Sequence, residues 1–225
     1  MIDQARMLSK GLEALEIELS GQQQQLLLDY LSLLNKWNKA INLTAIRDPR
    51  QMVALQLLDS LAVLPFIRDA PLLDIGSGGG LPGIPIAIAQ PQLDVTLLDS
   101  NGKKTRFLTQ AKLTLQLQNV TVAQTRIEAW QPSIPPLSIT CRAFSTLQQI
   151  IDWSQHLLTP QSEIIAMKGQ YPHQELDEIA DQDLNIVVHP VTIPGVSAER
   201  HIVCITGFHR IQRSAPTPER ISALE

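Results

Sequence analysis

The stretch LLDIGSGGGLPG, residues 72–83, decides the fold of this chain. An apolar run carries one acid, Asp74, and glycine then occupies positions 76, 78, 79, 80 and 83. In α/β proteins, an apolar strand that breaks into glycines ahead of a helix lays its backbone against a small ligand. Glycine suits such a turn because it adopts positive φ angles and has no Cβ to keep a ligand away. The stretch therefore predicts a cofactor loop, but it does not identify the cofactor.

Composition indicates an ordinary globular protein. The chain has 225 residues, 44% of them hydrophobic, which is enough for one main domain. The net charge is −4, so a polyanion would have to bind a local basic patch. Cys141 and Cys204 lie in apolar runs with neither disulfide nor metal spacing. No signal peptide or membrane-spanning run is seen, and we expect a cytoplasmic protein without a metal.

Helical signals precede the glycine loop. Ser20 and Gln23 form a capping box, after which apolar residues recur at helical spacing. A second helix begins at Asp48, which is followed by proline, and ends at Pro65. We therefore predict an N-terminal helical extension, residues 1–70, packed on the main domain.

After residue 70, strands and helices alternate, which predicts a mostly parallel α/β sheet with helices on both faces. The expected strands span residues 71–75, 94–99, 120–124, 137–142 and 163–168, and the expected helices lie near residues 84–89, 103–117, 146–158 and 173–180.

The end of the chain differs. Segments 184–193 and 201–208 are separated by a link too short for a helical crossover, so they should form an antiparallel hairpin at one edge. The main domain is predicted to span residues 71–211. Residues 212–225 contain two prolines and little apolar content, and we predict a disordered tail.

Two cofactors match the glycine spacing. The G-x-G-x-x-G pattern from Gly78, with Asp99 21 residues later, fits a dinucleotide. Pro82 and Pro85, however, remove backbone donors that a pyrophosphate needs. S-adenosylmethionine has no phosphate, and Asp74 would favour its cationic end. S-adenosylmethionine is therefore preferred, and a nicotinamide oxidoreductase is the alternative.

Two acids follow strands at the expected ligand-binding edge. Asp99 ends the second strand, where its carboxylate would accept both ribose hydroxyls. The alternative is an N-cap for the next helix. Glu128 follows the third strand, where it or the Ile127 backbone would meet the adenine.

Seven blocks of sequence, most of them outside the glycine loop, carry a family resemblance. They are KWNKAINLTAIRDP at 36–49, LLDS at 57–60, DIGSGGGLPGIP at 74–85, LLDSNGKKTRFL at 97–108, RAF at 142–144, MKG at 167–169 and ERHIV at 199–203. Together they resemble the 16S ribosomal RNA guanine-N7 methyltransferases, also called glucose-inhibited division protein B. The resemblance runs from about residue 22 to about residue 206.

This resemblance implies a class I S-adenosylmethionine-dependent methyltransferase, a Rossmann-like fold with an antiparallel last strand. The implied activity is methyl transfer to N7 of one guanine in the 16S rRNA of the small ribosomal subunit. The implied cofactor contacts are Gly76, Gly78, Leu81, Asp99, Ser100, Ile127, Glu128 and Arg142. For phosphate contacts with the RNA we expect first Arg47, Lys168 and Arg200.

No catalytic residue is predicted. Guanine N7 carries an in-plane lone pair and no hydrogen, so alignment and a desolvated pocket suffice. Glu128 or Asp59 could favour the cationic product by position, although packing is the preferred role for Asp59. Cys141 is a candidate for a mechanism in which a thiolate attacks the cytosine ring, but a cysteine in an apolar strand is more typical of a core residue.

Two positions depart from the family pattern. Gln56 stands where histidine is common, and Cys141 stands where serine is usual. Two further alternatives stay open at this point: a ribosome-assembly factor that binds the cofactor without turnover, and a methyltransferase acting on a small molecule.

Overall fold

The computed structural model describes residues 2–68 and 71–209. Before the glycine loop lie α1 (Ile2–Ala14), α2 (Gly21–Ile41), α3 (Pro49–Met52), a π-helical segment (Val53–Leu58), α4 (Asp59–Leu61) and a 3₁₀ turn (Leu64–Phe66). The strands that follow are β1 (Leu72–Ile75), β2 (Val95–Asp99), β3 (Val120–Gln124), β4 (Ser138–Arg142), β5 (Glu163–Lys168), β6 (Asn185–Pro190) and β7 (His201–Thr206). Between them lie α5 (Gly83–Ala89), α6 (Gly102–Thr114), α7 (Leu147–Ser154) and α8 (His173–Glu178), with 3₁₀ turns at Ile127–Ala129 and Gln155–Leu157.

The seven strands form one sheet in the order β3-β2-β1-β4-β5-β7-β6. β7 runs antiparallel to both β5 and β6, and the other pairs are parallel. The predicted fold class and the terminal hairpin are thus confirmed, and each of the five predicted parallel strands lies within one residue of its expected ends. Because β7 is inverted, its first residues lie at the same edge as the carboxyl ends of β4 and β5.

Helices cover both faces of the sheet. Apolar residues of α1, α2 and the π-helical segment share one core with α5 and α6. A second core on the opposite face is built by residues of α7 and by Ile179 beyond α8.

The domain boundary at residue 70 stays a prediction, and the predicted disordered tail lies outside the described residues. Within the described residues, no helix is long and apolar enough to cross a membrane.

The predicted capping box of α2 is confirmed. The Ser20 hydroxyl accepts a hydrogen bond from the Gln23 N–H, and the Gln23 side chain accepts from the Ser20 N–H. Gln23 Nε2 also donates to the carbonyls of Ile88 and Ala89, at 3.0 and 2.9 Å. The cap therefore also joins α2 to the carboxyl end of α5.

The predicted second helix begins where expected but is not regular. The Asp48 side chain accepts from the Arg50 N–H at 2.9 Å, and Val53–Leu58 then forms π-helix. Apolar spacing cannot predict this segment, because a widened turn changes the backbone pairing without changing which residues are apolar.

Asp74 lies beneath the glycine loop, in the core. Its Oδ2 accepts from the Gly83 N–H at 3.0 Å and so satisfies one free donor of the first turn of α5. A Cβ on Gly83 would lie 2.7 Å from the same oxygen. Burial raises the pKa of Asp74 to about 7, although the Gly83 hydrogen bond opposes that rise.

This raised pKa predicts a pH-dependent stability. The folded state favours the protonated carboxyl of Asp74, so protonation of this group stabilises the fold. This stabilisation is complete at pH values below the pKa of the unfolded state and is lost as the pH rises through about 7. Asp74→Asn keeps an acceptor for Gly83 but cannot ionise. Relative to this variant, we expect the wild-type free energy of unfolding to fall by roughly 2–4 kcal/mol between about pH 4 and about pH 8. Urea denaturation of both proteins across that range measures the difference, and a constant difference would contradict the assignment.

Candidate functional site

Two cavities open at the carboxyl edge of the sheet, and both reach Ala143 at the end of β4. The first, the glycine-loop cavity, has a volume of about 480 Å³ and is lined by residues that follow β1, β2, β3 and β4. The second, the arginine cavity, has a volume of about 460 Å³ and is lined by residues from the ends of β4 and β5, the start of β7 and the helices before the loop.

Ala143 separates the two cavities. Its φ is +49°, a left-handed conformation that is uncommon for residues other than glycine. Arg142, on one side of it, lines the arginine cavity, and Phe144, on the other, lines the glycine-loop cavity. The two cavities are therefore adjacent, with only this turn of backbone shared between them.

The glycine-loop cavity collects most of the predicted cofactor residues. Its lining includes Gly76, Asp99, Ser100, Ile127 and Glu128. Gly78 and Leu81 are absent from that lining. The Gly78 N–H points to Asp99, at 3.0 Å from Oδ2, and Leu81 is buried. Cofactor contact by these seven residues stays a prediction.

Different structural reasons require glycine at different positions of the loop. Gly76 and Gly78 have φ values of +65° and +57°, and a Cβ on Gly76 would overlap the Phe144 ring. Gly79 instead faces the helices, since a Cβ there would lie 3.0 Å from Leu34 Cδ1. The Gly79 carbonyl accepts a hydrogen bond from the buried Tyr30 hydroxyl at 2.6 Å. Part of the glycine pattern therefore serves packing rather than approach of a ligand.

Asp99 is held in place at the cavity. Its Oδ2 accepts from Gly78 and its Oδ1 accepts from the Asn101 N–H at 2.8 Å, while Lys104 Nζ lies 3.7 Å from Oδ2. A carboxylate offers about four acceptor positions, so it retains capacity for further donors. The alternative N-cap role is wrong, because the Asn101 side chain caps α6 by accepting from Lys103.

An aromatic wall of this cavity was not predicted. Phe144 and Trp153 pack edge to face with ring centroids 5.7 Å apart, and both line the cavity. Phe144 lay within the RAF block, but Trp153 lies on α7, and only the fold brings it to the loop.

The arginine cavity contains a buried carboxylate between two arginines. Asp59 Oδ2 lies 3.1 Å from Arg142 Nη1, and Asp59 Oδ1 lies 2.8 Å from Arg200 Nε. Arg142 Nη1 also donates to the Leu55 carbonyl at 3.0 Å. Arg142 thus lines the arginine cavity, whereas five of the other predicted cofactor residues line the glycine-loop cavity. Contact of Arg142 with a cofactor stays a prediction.

The three predicted phosphate contacts differ in their surroundings. Lys168 Nζ donates to the Ser145 carbonyl at 2.9 Å and to Glu175 Oε2 at 2.7 Å. Arg200 is bound to Asp59, and Arg47 is exposed. Of the three, Arg47 alone has no ion-pair partner among the residues that the structure describes. Contact of all three with RNA stays a prediction.

Cys141 lies within β4 and lines neither cavity. Burial raises the pKa of its thiol to about 12, so the thiol stays protonated near neutral pH. This geometry favours the core role over the thiolate mechanism. Among residues 2–68 and 71–209, no group of three or more histidine, cysteine, aspartate or glutamate side chains could hold a metal ion.

Solved structures of methyltransferases share the fold. A glycopeptide N-methyltransferase, MtfA, complexed with S-adenosylmethionine superposes with a TM-score of 0.58 at 9% identity, over 67% of this chain and 86% of that chain. An S-adenosylmethionine-dependent methyltransferase from Aquifex aeolicus gives a TM-score of 0.54 at 14% identity, over 78% and 97% of the two chains. At these identities the likeness concerns the fold alone.

Sequence relatives are much more similar. A protein of Marinobacter nauticus, ribosomal RNA small subunit methyltransferase G, is 50% identical over 203 residues, covering 90% of this chain and 95% of its own. A protein of the same name from Alteromonas mediterranea is 46% identical over 87% and 93% of the two chains. The family model GidB, rRNA small subunit methyltransferase G, matches residues 23–203. The chain therefore belongs to the GidB family.

Proposed function

We propose that this protein transfers a methyl group from S-adenosylmethionine to N7 of a specific guanine in the 16S rRNA of the small ribosomal subunit. The observation that carries the proposal is the pair of adjacent cavities, one beside the glycine loop and one lined by arginines, that meet at Ala143. A transfer reaction needs donor and acceptor sites that share such a boundary.

The glycine-loop cavity fits the cofactor. Gly76 lines the cavity, and Asp99 retains acceptor capacity for the two ribose hydroxyls. Ile127 and Glu128, from the turn after β3, would meet the adenine beside the aromatic wall of Phe144 and Trp153. When bound, the cofactor supplies an electrophilic methyl group on a cationic sulfur.

The arginine cavity fits a guanine nucleotide. Its walls include the apolar side chains of Ile46, Leu55 and Met167, which exclude water from a bound base. The guanidinium group of Arg200 supplies donors to guanine O6 or to phosphate oxygens. No general base is required, because the N7 lone pair attacks without loss of a proton. The protein contributes alignment and exclusion of water.

The segment before residue 70 forms part of this site in our proposal. Ile46, Leu55 and Asp59 precede residue 70, and all three line the arginine cavity. We therefore propose that residues 1–70 and residues 71–211 work as one catalytic unit.

An enzyme that acts on rRNA meets its substrate where ribosomes are assembled, so we propose a cytoplasmic location.

The function is tested by transfer of labelled methyl groups. The protein is incubated with radiolabelled S-adenosylmethionine and either undermethylated small subunits, naked 16S rRNA or a pool of metabolites. We expect label on N7 of a single guanine, and the first two substrates distinguish assembled subunit from free RNA. Cofactor binding without transfer would indicate a non-catalytic assembly factor, and label on a metabolite would indicate a small-molecule enzyme.

Asp99→Asn should weaken cofactor binding. The amide oxygen cannot accept hydrogen bonds from two ribose hydroxyls and also from the backbone N–H groups of Gly78 and Asn101. We therefore expect the Kd for S-adenosylmethionine to rise about 10- to 100-fold. Isothermal titration calorimetry measures this change. Asp152→Asn, at an exposed position on α7, is the matched control and should leave the Kd unchanged. An unchanged Kd in Asp99→Asn would exclude the ribose role.

Cys141→Ala should retain methyl transfer. The thiol lines neither cavity, so we expect kcat to stay within about 3-fold of wild type while stability falls by about 1 kcal/mol. Steady-state transfer and thermal unfolding measure the two effects. Complete loss of transfer in a normally folded variant would instead support attack by the thiolate.

A further inference from the structure

An exposed aromatic ring lies beside the rim of the arginine cavity. Among residues 2–68 and 71–209, the large hydrophobic side chains that are exposed are Leu113, Ile134, Tyr171 and Val187, and Tyr171 is the aromatic one. It lies in the link between β5 and α8, shortly after Gly169, which lines the cavity and is itself exposed. A Cβ on Gly169 would meet no atom within 4 Å, so the cavity opens to solvent beside this link.

Tyr171 is joined to the cavity wall through His201. The two ring centroids lie 5.5 Å apart with an interplanar angle of 85°. His201 begins β7, is buried and lines the cavity, and its Nδ1 lies 2.9 Å from the Gly169 carbonyl oxygen. The ring of His173 also contacts Tyr171, at 4.4 Å and 43°. Neither histidine stacks in parallel on the tyrosine, which stays 42% exposed, so its ring retains surface for a further stacking partner.

The link that carries Tyr171 is anchored on both sides. Lys168 Nζ donates to the Ser145 carbonyl at 2.9 Å and to Glu175 Oε2 at 2.7 Å. The same Glu175 oxygen accepts from the Leu147 N–H at 2.7 Å. These bonds join the end of β5 and the middle of α8 to the start of α7. The position of Tyr171 is therefore set before a ligand arrives, which lowers the entropy lost on binding.

The proposed reaction creates a need for such a ring. A guanine that enters the cavity must leave its stacked neighbours in the RNA, and this unstacking costs free energy. In RNA recognition, bases that have lost a neighbour stack on aromatic side chains. Every base has a π-face, so a stacking contact positions the strand without reading its sequence. A ring that contacts the cavity wall lies where the nucleotide next to the target would pass.

Resting on the proposed function, we propose that Tyr171 stacks on the base of the nucleotide next to the target guanine in the 16S rRNA. The contact holds the RNA strand while the guanine occupies the cavity. Because Tyr171 lines neither cavity, its contribution is to binding of the RNA rather than to the transfer step.

Tyr171→Leu tests this role. Leucine keeps an apolar side chain beside His201 but has no π-face. We expect the KM for undermethylated small subunits to rise about 5- to 50-fold, with kcat within about 3-fold of wild type. The Kd for S-adenosylmethionine should stay within about 2-fold. Tyr171→Phe keeps the ring and should have a KM within about 2-fold of wild type. An unchanged KM in Tyr171→Leu, or an equal rise in Tyr171→Phe, would overturn the proposal.

Ile134→Ala is the matched control for loss of exposed apolar surface. Ile134 is 68% exposed and lies shortly before the start of β4, at the edge of the sheet opposite to both cavities. This variant should leave the KM within about 2-fold of wild type. A rise equal to that of Tyr171→Leu would reduce the tyrosine to general apolar surface and would contradict a specific contact.

A second measurement changes the RNA instead of the protein. Small subunits are reconstituted with 16S rRNA that carries an abasic residue on one side or on the other side of the target guanine. For one of these two subunits, the wild-type Kd should exceed that for the intact subunit by about 5-fold or more. Tyr171→Leu should bind that subunit and the intact one with Kd values within about 2-fold, because the stacking contact is already lost.

Two results of this measurement would overturn the proposal. One is wild-type binding that neither abasic residue weakens, which would leave a ribosomal protein as the partner of Tyr171. The other is a Tyr171→Leu variant that keeps the full preference for the intact subunit. A wild-type protein that methylates no small subunit would overturn the proposed function as well. An active wild-type protein with either of the two results would overturn the stacking contact alone.

Discussion

The left-handed turn at Ala143 is the constraint on which the site depends. Such a conformation costs an alanine about 1–2 kcal/mol, so the surrounding packing must hold it. Its effect is to direct Arg142 into one cavity and Phe144 into the other at the end of a single strand. Because β4 lies in the middle of the sheet, between β1 and β5, both cavities border on this strand end.

The glycine loop is held by hydrogen bonds from β1 and from the N-terminal helix α2. Asp74 binds the first turn of α5, and the Tyr30 hydroxyl binds the Gly79 carbonyl from α2. The N-terminal helices therefore support the glycine loop through Tyr30 and line the arginine cavity through Asp59. One set of helices thus contributes to both halves of the proposed transfer reaction.

The positions of the strands along the chain could be predicted from the sequence, whereas the pairing of polar groups could not. Alternating apolar segments and short links place the five parallel strands within one residue of their ends, because these signals are local. Asp59, Arg142 and Arg200 are joined by contacts across 83 and 141 positions of sequence, which no local pattern contains. Likewise, the glycine spacing predicted a ligand loop but could not separate Gly76 from Gly79, which packs on α2. The acid before the glycines was expected near a ligand, yet Asp74 is fully buried.

We propose that cofactor and acceptor occupy the two cavities on either side of Ala143. A crystal structure with S-adenosylhomocysteine tests it most directly. We expect the adenosine in the glycine-loop cavity, against Asp99 and Ile127, with the sulfur beside Ala143. Adenosine bound in the arginine cavity would contradict this arrangement.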